Sequence, residues 1–413
     1  MTDNPSAAEV VRTTCCIAGG GPAGVMLGFL LARAGVDVVV LEKHRDFLRD
    51  FRGDTIHPST LEVMHELGLL DEFLRLPHQE VRQLQGVIGD TSIRIADFTH
   101  LPTRCRFIAL MPQWDFLNFL AEKARRYPSF HLRMQAEATD LIEDGGRVTG
   151  LRATTPARTL VAQADLVVGA DGRHSTVRRC AGLEVEDIGA PIDVLWMRLP
   201  RRPSDGTAPL GRFGAGKIFI TLDRGDYWQC AYVIPKGGFD EIKAKGLDAF
   251  RAAVAEIAPQ FGDRVRELGS WDDIKLLTVK IDRLRRWHRP GLLCIGDAAH
   301  AMSPVGGVGI NLAVQDAVAA ANILAAPLRA GTLRERDLAA VERRRRFPTR
   351  ATQRMQVFMQ NNLLRAVLAS QAAPSPPWPL RLIGRYPLLQ RIPARLVGMG
   401  FRPEHVRLPA VDP

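Results

Sequence analysis

The feature that most constrains the fold is a pair of glycine-rich turns, one near residue 20 and one near residue 300 of a chain of 413 residues. In the first, a β-prone apolar segment enters Gly19-x-Gly21-x-x-Gly24, a helical pattern follows, and a second apolar strand ends at Glu42. In such a βαβ unit the glycines allow a tight turn, the approach of a pyrophosphate to the backbone, and close packing of helix on strand. The carboxylate of Glu42 suits ribose hydroxyls and opposes a 2′-phosphate, which favours FAD or NAD over NADP. The contacts predicted in this segment are Gly19, Gly21, Pro22, Ala23, Gly24, Glu42 and Lys43. For Lys43, a solvated surface lysine is the alternative interpretation.

The second turn follows a short apolar strand over 291–295 and precedes an alanine-rich amphipathic pattern over 312–324. Asp297, at the end of that strand, is placed to bind a ribitol or ribose hydroxyl. The start of the following helix carries partial positive charge, which stabilises a ligand that becomes anionic during turnover, as reduced flavin does. Because both turns have the same strand–turn–helix setting, the sequence predicts one large cofactor held by two distant parts of the chain. The contacts predicted in this segment are Asp297, Gly307, Gly309, Ile310 and Asn311.

A third turn leads from the apolar strand ending at Gly169 into a helix that Ser175 is placed to cap. Asp171 lies in this turn and is a further candidate for a cofactor contact. A capped turn that binds no ligand is the alternative interpretation.

The middle of the chain changes character. From about residue 191 to residue 280 the apolar runs are strand-like and aromatic and are separated by turn residues, which predicts a β-sheet region inserted into an α/β domain. Beyond residue 324 the pattern is mostly helical. We therefore expect an α/β fold made of a Rossmann-like FAD-binding domain (1–82, 100–190 and 281–330), a mainly β substrate domain (83–99 and 191–280), and a helical, arginine-rich C-terminal region (331–413).

Positive charge is concentrated in the last part of the chain. Residues 331–413 hold fifteen Arg, no Lys and five acidic residues, which equals the net charge of +10 of the whole chain. A solvated arginine-rich helix face is the favoured interpretation, and we expect no nucleic-acid partner. Peripheral contact with an acidic membrane stays open because apolar residues lie between the arginines at 378–401. The same tail is alternatively a dimer surface or a cover for a pocket, so both a monomer and a homodimer are compatible with the sequence.

Three further observations bear on the cellular location of the protein. No apolar run reaches the roughly 18 residues of a spanning helix, and the N-terminal segment lacks the basic start and apolar core of a signal peptide. The six cysteines are scattered without a C-x-x-C pair, which favours buried free thiols over disulfides or a zinc site. We expect a cytoplasmic protein without a bound metal.

The three turns together resemble those of the single-component FAD-dependent aromatic hydroxylases, the monooxygenases of the p-hydroxybenzoate hydroxylase fold. The resemblance covers roughly residues 13–330, and the order and spacing of the motifs agree. It is more specific for the fold and for FAD than for the reaction. The matching residues are Gly19, Gly21, Gly24, Glu42, Asp171, Gly172, Ser175, Arg178, Gly296, Asp297, Pro304, Gly306, Gly309 and Asn311.

This resemblance implies a reaction in which NAD(P)H reduces FAD, O2 adds at flavin C4a, and the hydroperoxide transfers one oxygen atom to the substrate. It implies positions near the flavin for Arg52 and Gln113, and a position for Pro304 on the flavin face where oxygen reacts. It also implies that Asp171 serves both FAD and NAD(P)H, without a separate nicotinamide domain. The candidate catalytic residues are Arg52, Pro304 and His57.

Substrate contacts are expected from the aromatic residues of the sheet region. Side chains alternate between the two faces of a strand, so only about half of these residues can face a pocket. Few charged residues lie in these strands, which favours an apolar or aromatic small molecule as the substrate. The resemblance implies that this molecule is hydroxylated or epoxidised. The candidates are Trp196, Phe219, Trp228 and Tyr232, and packing in the core is the alternative interpretation for all four.

Two other functions are open to a chain with these motifs, and a third is disfavoured. One is an FAD-dependent reductase or dehydrogenase of an isoprenoid or polyketide without oxygen transfer. Another is a flavoprotein binding module that acts through the basic tail. A flavin-dependent halogenase is disfavoured, because the segment Cys230-Ala-Tyr-Val-Ile-Pro235 has Cys and Tyr in place of the two tryptophans of that family's Trp-x-Trp-x-Ile-Pro.

Overall fold

The computed structural model describes residues 8–48, 55–206, 211–372 and 374–411. The first strands along the chain are β1 Glu9–Ala18, β2 Val38–Glu42, β3 Thr55–Ile56, β4 Gln79–Val81, β5 Gln83–Ile88, β6 Thr91–Asp97, β7 Ile108–Leu110, β8 Phe130–Met134, β9 Glu137–Asp144, β10 Arg147–Thr154 and β11 Thr159–Gly169. The later strands are β12 Val185–Asp187, β13 Ile192–Pro200, β14 Gly211–Gly214, β15 Lys217–Asp223, β16 Tyr227–Pro235, β17 Lys275–Leu277, β18 Asp282–Leu284, β19 His288–Arg289, β20 Leu292–Cys294 and β21 His300–Ala301.

The α-helices cluster at the start of the chain and in its last quarter. A π-helical turn over Gln360–Leu364 joins the ninth helix to the tenth. The helices are α1 Pro22–Arg33, α2 Pro58–Glu66, α3 Leu70–Phe73, α4 Gln113–Ala124, α5 Thr176–Cys180, α6 Phe239–Ala244, α7 Leu247–Ile257, α8 Gly309–Arg329, α9 Glu335–Met359, α10 Arg365–Ala369, α11 Trp378–Arg385 and α12 Pro387–Gly398.

The main sheet is built around β1. Its strand order is β19-β20-β11-β1-β2-β8, with β10 and β9 added beside β11. Strand β1 runs parallel to both β11 and β2, so the βαβ unit expected from the glycine motif is confirmed as β1–α1–β2. Strand β1 begins at Glu9, earlier than expected, because its first residues pair with β11 from Leu160 onward.

A seven-stranded sheet forms the second layer, in the order β17-β13-β16-β15-β14-β5-β6. The strands β5 and β6 therefore join strands that come a hundred or more residues later in the sequence. One face of this sheet is covered by α7, with Phe250 and Val254 in its apolar cluster. The other face packs against Leu364 and Val367 from the C-terminal helical region. The α/β fold class with a β-rich second unit and C-terminal helices is confirmed.

Helix α8 is a core element of the molecule. By length and composition alone the segment Val305–Arg329 is apolar enough to cross a membrane, but 83% of its most apolar window is buried inside the protein. It packs against α1 on one side and α9 on another. A Cβ on Gly296 would lie 3.0 Å from Cβ of Ala23 at the start of α1 and 3.5 Å from Cβ of Ala313 near the start of α8. The two predicted halves of the site are therefore near each other.

Candidate functional site

The ends of four strands meet at one edge of the main sheet. Ala18 of β1 pairs with Leu41 of β2 and with Gly169 of β11, and Gly169 pairs in turn with Cys294 of β20. The three predicted turns begin within two residues of Ala18, Gly169 and Cys294. In parallel sheets, ligands bind in the crevice outside these carboxyl ends. The structure thus brings together turns that the sequence separates by more than a hundred residues.

The glycines of the first turn have distinct geometric roles. Gly19 has φ of +106°, and a Cβ there would lie 2.3 Å from the carbonyl oxygen of Ala170, so only glycine fits between the first and third turns. A Cβ on Gly24 would lie 1.9 Å from the carbonyl oxygen of Gly19. A Cβ on Gly21, by contrast, would meet no described atom within 4 Å. Gly21 precedes α1 at Pro22, so the open space lies at a helix N-terminus, which favours an anionic group such as a pyrophosphate.

Glu42 is held at the end of β2 by two backbone groups. Its Oε2 accepts a hydrogen bond from the N–H of Gly20 at 3.0 Å, and its Oε1 accepts one from the N–H of His44 at 3.0 Å. The side chain is buried, whereas the neighbouring Lys43 is exposed. The carboxylate is therefore fixed beside the first turn, and Lys43 lies on the surface next to it.

Asp171 is fixed within the third turn. Its Oδ1 accepts a hydrogen bond from the hydroxyl of Ser175 at 2.5 Å, and its Oδ2 accepts one from the N–H of Val177 at 3.1 Å. Ser175 in turn caps α5 by accepting from the N–H of Arg178 at 2.9 Å, as its position in the sequence predicted. Burial raises the pKa of the Asp171 carboxyl, and its hydrogen bonds oppose that rise. The turn is therefore a capped helix start beside Gly19, and its contact with a ligand stays a prediction.

The turn that carries Asp297 is anchored by a buried carboxylate that the sequence did not single out. Asp297 is exposed at the end of β20. Immediately before it, the N–H of Gly296 donates to Oδ2 of Asp316 on α8 at 3.1 Å. The same oxygen lies 2.6 Å from Nε2 of His300, a fully buried ring that packs on Trp287. One side chain thus fixes both ends of the turn that presents Asp297.

Asp316 is also the inner end of a chain of buried charges. Its Oδ1 accepts from Nε of Arg345 on α9 at 2.9 Å, and Nη1 of Arg345 lies 3.2 Å from Glu404. Burial opposes ionisation of Asp316, but the charges and hydrogen bonds of His300 and Arg345 outweigh it and hold the pKa of this carboxyl below its ordinary value. The only sequence signal for this role was an acidic residue within the apolar pattern of α8, followed by a run of arginines in α9.

The start of α8 is held against β3 by Asn311. Its Oδ1 accepts from the N–H of His57 at 2.9 Å and from the hydroxyl of Thr60 at 2.7 Å. Its Nδ2 donates to the carbonyl oxygen of Thr55 at 3.3 Å. The predicted residue Gly307 has φ of +63° and accepts a hydrogen bond from the hydroxyl of Thr55 at 2.8 Å. Asn311 and Gly307 therefore shape the loop that leads into the helix.

The N-terminus of α8 is left open by this arrangement. No side chain caps it among the described residues, and a Cβ on Gly309 would meet no described atom within 4 Å. Ile310 is buried behind it. Uncapped N–H groups at a helix start attract negative charge, so this end suits the edge of a ligand that becomes anionic.

Pro304 lies in a loop that α9 holds from both sides. Nε2 of Gln356 donates to the carbonyl oxygens of Ser303 and Val305, each at 2.9 Å. Oε1 of the same side chain accepts from the N–H of Ser303 at 3.2 Å. Pro304 itself is half-buried. Hydrogen bonds to both of its neighbours therefore fix Pro304, the residue that the resemblance assigned to the oxygen side of the flavin.

His57 is fully buried beside the start of α8. Its Nδ1 lies 2.7 Å from the carbonyl oxygen of Val397 in α12, so Nδ1 carries the proton and donates. Its Nε2 is buried without a partner among the described residues. Burial lowers the pKa of His57 to about 4. The ring is therefore neutral at physiological pH and holds an unused hydrogen-bond acceptor.

The remaining two predicted flavin contacts are less informative. Gln113 is the first residue of α4 and is half-buried, and no contact of its side chain in the described residues ties it to the three turns. Arg52 lies outside the described residues. Their roles stay predictions.

Three of the four predicted substrate contacts pack inside an apolar cluster, which favours a core role for them over contact with a substrate. Phe219, Trp228 and Tyr232 belong to the apolar cluster under α7, on the face of the second sheet opposite to the one that packs against Val305. Phe261 packs on Phe219 and Trp228. Trp196 lies on the opposite face, in a cluster that includes Val305, the residue after Pro304. The alternation of strand residues fixes which side chains share a face, but the covering by α7 decides which face is closed.

These features fit FAD. The open side of Gly21 at the start of α1 suits the pyrophosphate, and the fixed carboxylate of Glu42 suits the adenosine ribose. Asp297, exposed at the adjacent strand end, suits the ribityl chain. The uncapped start of α8 suits the pyrimidine edge of the flavin, where negative charge develops on reduction.

Comparisons with known proteins agree with this assignment. Residues 12–355 match a family model described as an FAD binding domain. The chain is 35% identical over 399 residues to a 6-methylpretetramide 4-monooxygenase from Streptomyces rimosus, which covers 96% of this chain and 95% of that protein. It is 30% identical over 320 residues to a dialkyldecalin synthase from Streptomyces rugosporus, covering 74% of this chain and 63% of that longer protein. Among solved structures, anhydrotetracycline hydroxylase from Streptomyces rimosus superposes with a TM-score of 0.71 at 25% identity, covering 94% of this chain and 76% of that one.

Proposed function

Because the chain belongs to the FAD-binding family matched over residues 12–355 and is an FAD-dependent monooxygenase of the p-hydroxybenzoate hydroxylase fold, we propose that it hydroxylates a polycyclic aromatic polyketide. NAD(P)H and O2 are the proposed cosubstrates. The observation that carries the proposal is the meeting of four strand ends beside the open N-terminus of α8. The similarity along nearly the whole chain to a monooxygenase named for 6-methylpretetramide supports the substrate class.

The residues of the chain bind and orient the cofactor. The start of α1 at Gly21 would hold the pyrophosphate, Glu42 the ribose and Asp297 the ribityl chain. The N-terminus of α8 would stabilise negative charge at the pyrimidine edge. Bound FAD would accept electrons from NAD(P)H and activate O2 for the transfer of one oxygen atom. Arg52 and Gln113 are proposed to lie beside the flavin, and Pro304 to border its oxygen side.

The substrate is proposed to lie between the cofactor loop and the second sheet. Trp196, Phe213 and Ile220 lie on the face of that sheet that also contacts Val305. This face is apolar, and Trp196 offers it a large flat aromatic surface. Flat aromatic ligands are bound well by such surfaces, and apolar walls also exclude water from the reacting atoms.

His57 is proposed to face this site as a hydrogen-bond acceptor. The carbonyl oxygen of Val397 fixes the proton on Nδ1, so the lone pair on Nε2 is available for a donor on the substrate or cofactor. A buried acceptor without a partner costs free energy, which a phenol hydroxyl or an N–H group of a ligand would recover.

The reaction is tested by incubating the FAD-loaded enzyme with NAD(P)H, isotopically labelled O2 and a panel of polycyclic phenols. We expect substrate-stimulated oxidation of NAD(P)H and a product that contains one labelled oxygen atom by mass spectrometry. A reduced product without labelled oxygen would instead support the reductase alternative. A product of unchanged mass would support a cyclisation such as the name of the dialkyldecalin synthase implies for that relative.

The substrate face is tested by a matched pair of tryptophan variants. Trp196→Leu should raise KM about tenfold, which corresponds to a loss of about 1.4 kcal/mol of substrate binding. Trp228→Leu changes the same residue type on the closed face, where its Nε1 donates to Asp205 at 2.8 Å. It should leave KM unchanged and lower the free energy of unfolding by roughly 2 kcal/mol. The reverse pattern would assign the substrate to the other face.

A further inference from the structure

The C-terminal helices α11 and α12 lie on the outside of the second sheet, and each packs one face against β6. Ala394 and Val397 of α12 join an apolar cluster with Phe98 and Leu101. Gly384 brings α11 into close contact with the same strand. The inner faces of both helices are therefore fixed to the fold, and their opposite faces point outward.

The outward faces carry large apolar side chains. On α11, Trp378 is 71% exposed and Leu382 is 42% exposed. On α12, Leu388 is 67% exposed and Ile392 is 59% exposed, and Tyr386 is exposed between the two helices. Residues four apart lie on the same side of a helix. Each helix thus presents an apolar stripe that none of the described residues covers.

Each apolar stripe has a row of arginines beside it. Arg381 and Arg385 follow Trp378 by three and seven positions. Arg391 and Arg395 follow Leu388 by the same three and seven positions. All four arginines are exposed, and residues 374–403 contain no Asp or Glu. The same combination of apolar stripe and basic row is therefore built twice, on two neighbouring helices.

We propose that the outer faces of α11 and α12 form a docking surface for an anionic lipid bilayer. The apolar stripes enter the region between headgroups and acyl chains, where Trp and Tyr are favoured. The arginine side chains extend to the phosphates of acidic lipids. The surface carries only positive charge, so its binding partner is anionic, and its exposed apolar area requires a partner with an apolar layer beneath the charge.

Other partners satisfy only part of this surface. A second copy of the chain, docked symmetrically, would bring arginines against arginines without a carboxylate between them. A nucleic acid would pair with the arginines but would leave Trp378, Leu388 and Ile392 without an apolar contact. An anionic bilayer satisfies both the charge and the apolar stripes.

The test is co-sedimentation of the FAD-loaded enzyme with vesicles. We expect the sedimented fraction to rise at least about fivefold when phosphatidylglycerol replaces one third of the phosphatidylcholine, because basic residues gain free energy near an acidic surface. Raising the salt concentration should reduce this binding, since salt screens exposed charges. Equal binding to both vesicle types, or no binding to either, would overturn the proposal.

Point variants locate the binding surface without removing the tail, whose inner contacts reach His57 and Arg345. The charge variant Arg391→Glu/Arg395→Glu and the apolar variant Leu388→Ser/Ile392→Ser should each lose most of the lipid binding. The matched control Arg125→Glu/Arg126→Glu makes the same charge change at exposed residues after α4 and should bind as the wild type does. Flavin content and the midpoint of thermal unfolding should be unchanged in all three.

Two results with these variants would overturn the proposal of lipid docking. If the control loses as much binding as Arg391→Glu/Arg395→Glu, the surface does not act through α12 and the proposal fails. It also fails if light scattering finds a dimer that Leu388→Ser/Ile392→Ser dissociates while vesicles bind nothing, because the face would then belong to a second copy of the chain.

Discussion

At the level of single residues, hydrogen bonds to neighbouring turns and elements fix several residues of the site. The tautomer of His57 is set by the carbonyl oxygen of Val397, and the position of the His57 backbone is set by Asn311. Glu42 is oriented by two N–H groups of neighbouring turns. Such contacts fix a side chain before a ligand binds, which lowers the conformational entropy lost on binding.

The buried His57 makes stability depend on pH in a defined direction. Its pKa is lowered by burial from 6.5 to about 4, so the unfolded chain takes up a proton before the folded chain does as pH falls. The free energy of unfolding therefore decreases as pH falls from about 6.5 to about 4, by about 3 kcal/mol from this residue alone. Urea unfolding at a series of pH values should show this loss in the wild type, and the His57→Gln variant should lack it. Parallel curves for the two proteins would contradict the assignment.

At the level of secondary-structure elements, side chains of α8 and α9 hold the loops that are predicted to contact the cofactor. Asp316 of α8 fixes both ends of the turn at 296–301, and Arg345 of α9 neutralises it. Gln356 of α9 holds the loop on both sides of Pro304. The charge pattern predicted a solvated arginine-rich face. The structure shows that α9 also contributes buried side chains that support the site.

The Asp316→Asn variant tests this support. It keeps the shape of the side chain but removes the buried negative charge that pairs with Nε of Arg345, and leaves Arg345 with its contact to Glu404. Breaking a buried ion pair costs about 3–5 kcal/mol. We expect a large fall in the free energy of unfolding together with weaker FAD binding, measured by urea unfolding and by fluorescence titration. Asp248→Asn changes an aspartate whose side chain is 94% exposed on α7 and should alter neither quantity. Normal FAD affinity in Asp316→Asn would mean that the turn at 296–301 does not depend on α8.

The sequence predicted the elements whose signals are local. The order β1–α1–β2 and the cap at Ser175 follow from glycine spacing, apolar runs and a serine before a helix, all within a few residues of each other. The sequence left Phe219, Trp228 and Tyr232 open between core packing and substrate contact, because alternation does not say which face α7 will cover. Asp316, Arg345 and Gln356 were missed because each acts through a partner on another element, and no single segment records that pairing.

At the scale of the whole molecule, the C-terminal region closes back on the site. Val397 contacts His57, Glu404 pairs with Arg345, and the N–H of Val411 donates to the carbonyl oxygen of Arg33 in α1 at 2.9 Å. These contacts join the end of the chain to the first βαβ unit. The tail is therefore part of the fold around the cofactor, while its outer surface is free to contact a bilayer.

An FAD titration of the apoprotein and two variants measures whether turns from distant parts of the chain hold a single FAD. Gly21→Val fills the space where a Cβ meets no described atom, so the variant should fold normally and bind no FAD. Asp297→Ala, in the distant turn, should weaken FAD binding by about tenfold or more, as the loss of a hydrogen bond to a charged group implies. The wild type should bind one FAD per chain. If either variant bound FAD as tightly as the wild type, the turn that it alters would not be part of the cofactor site, which would contradict a single FAD held by both turns.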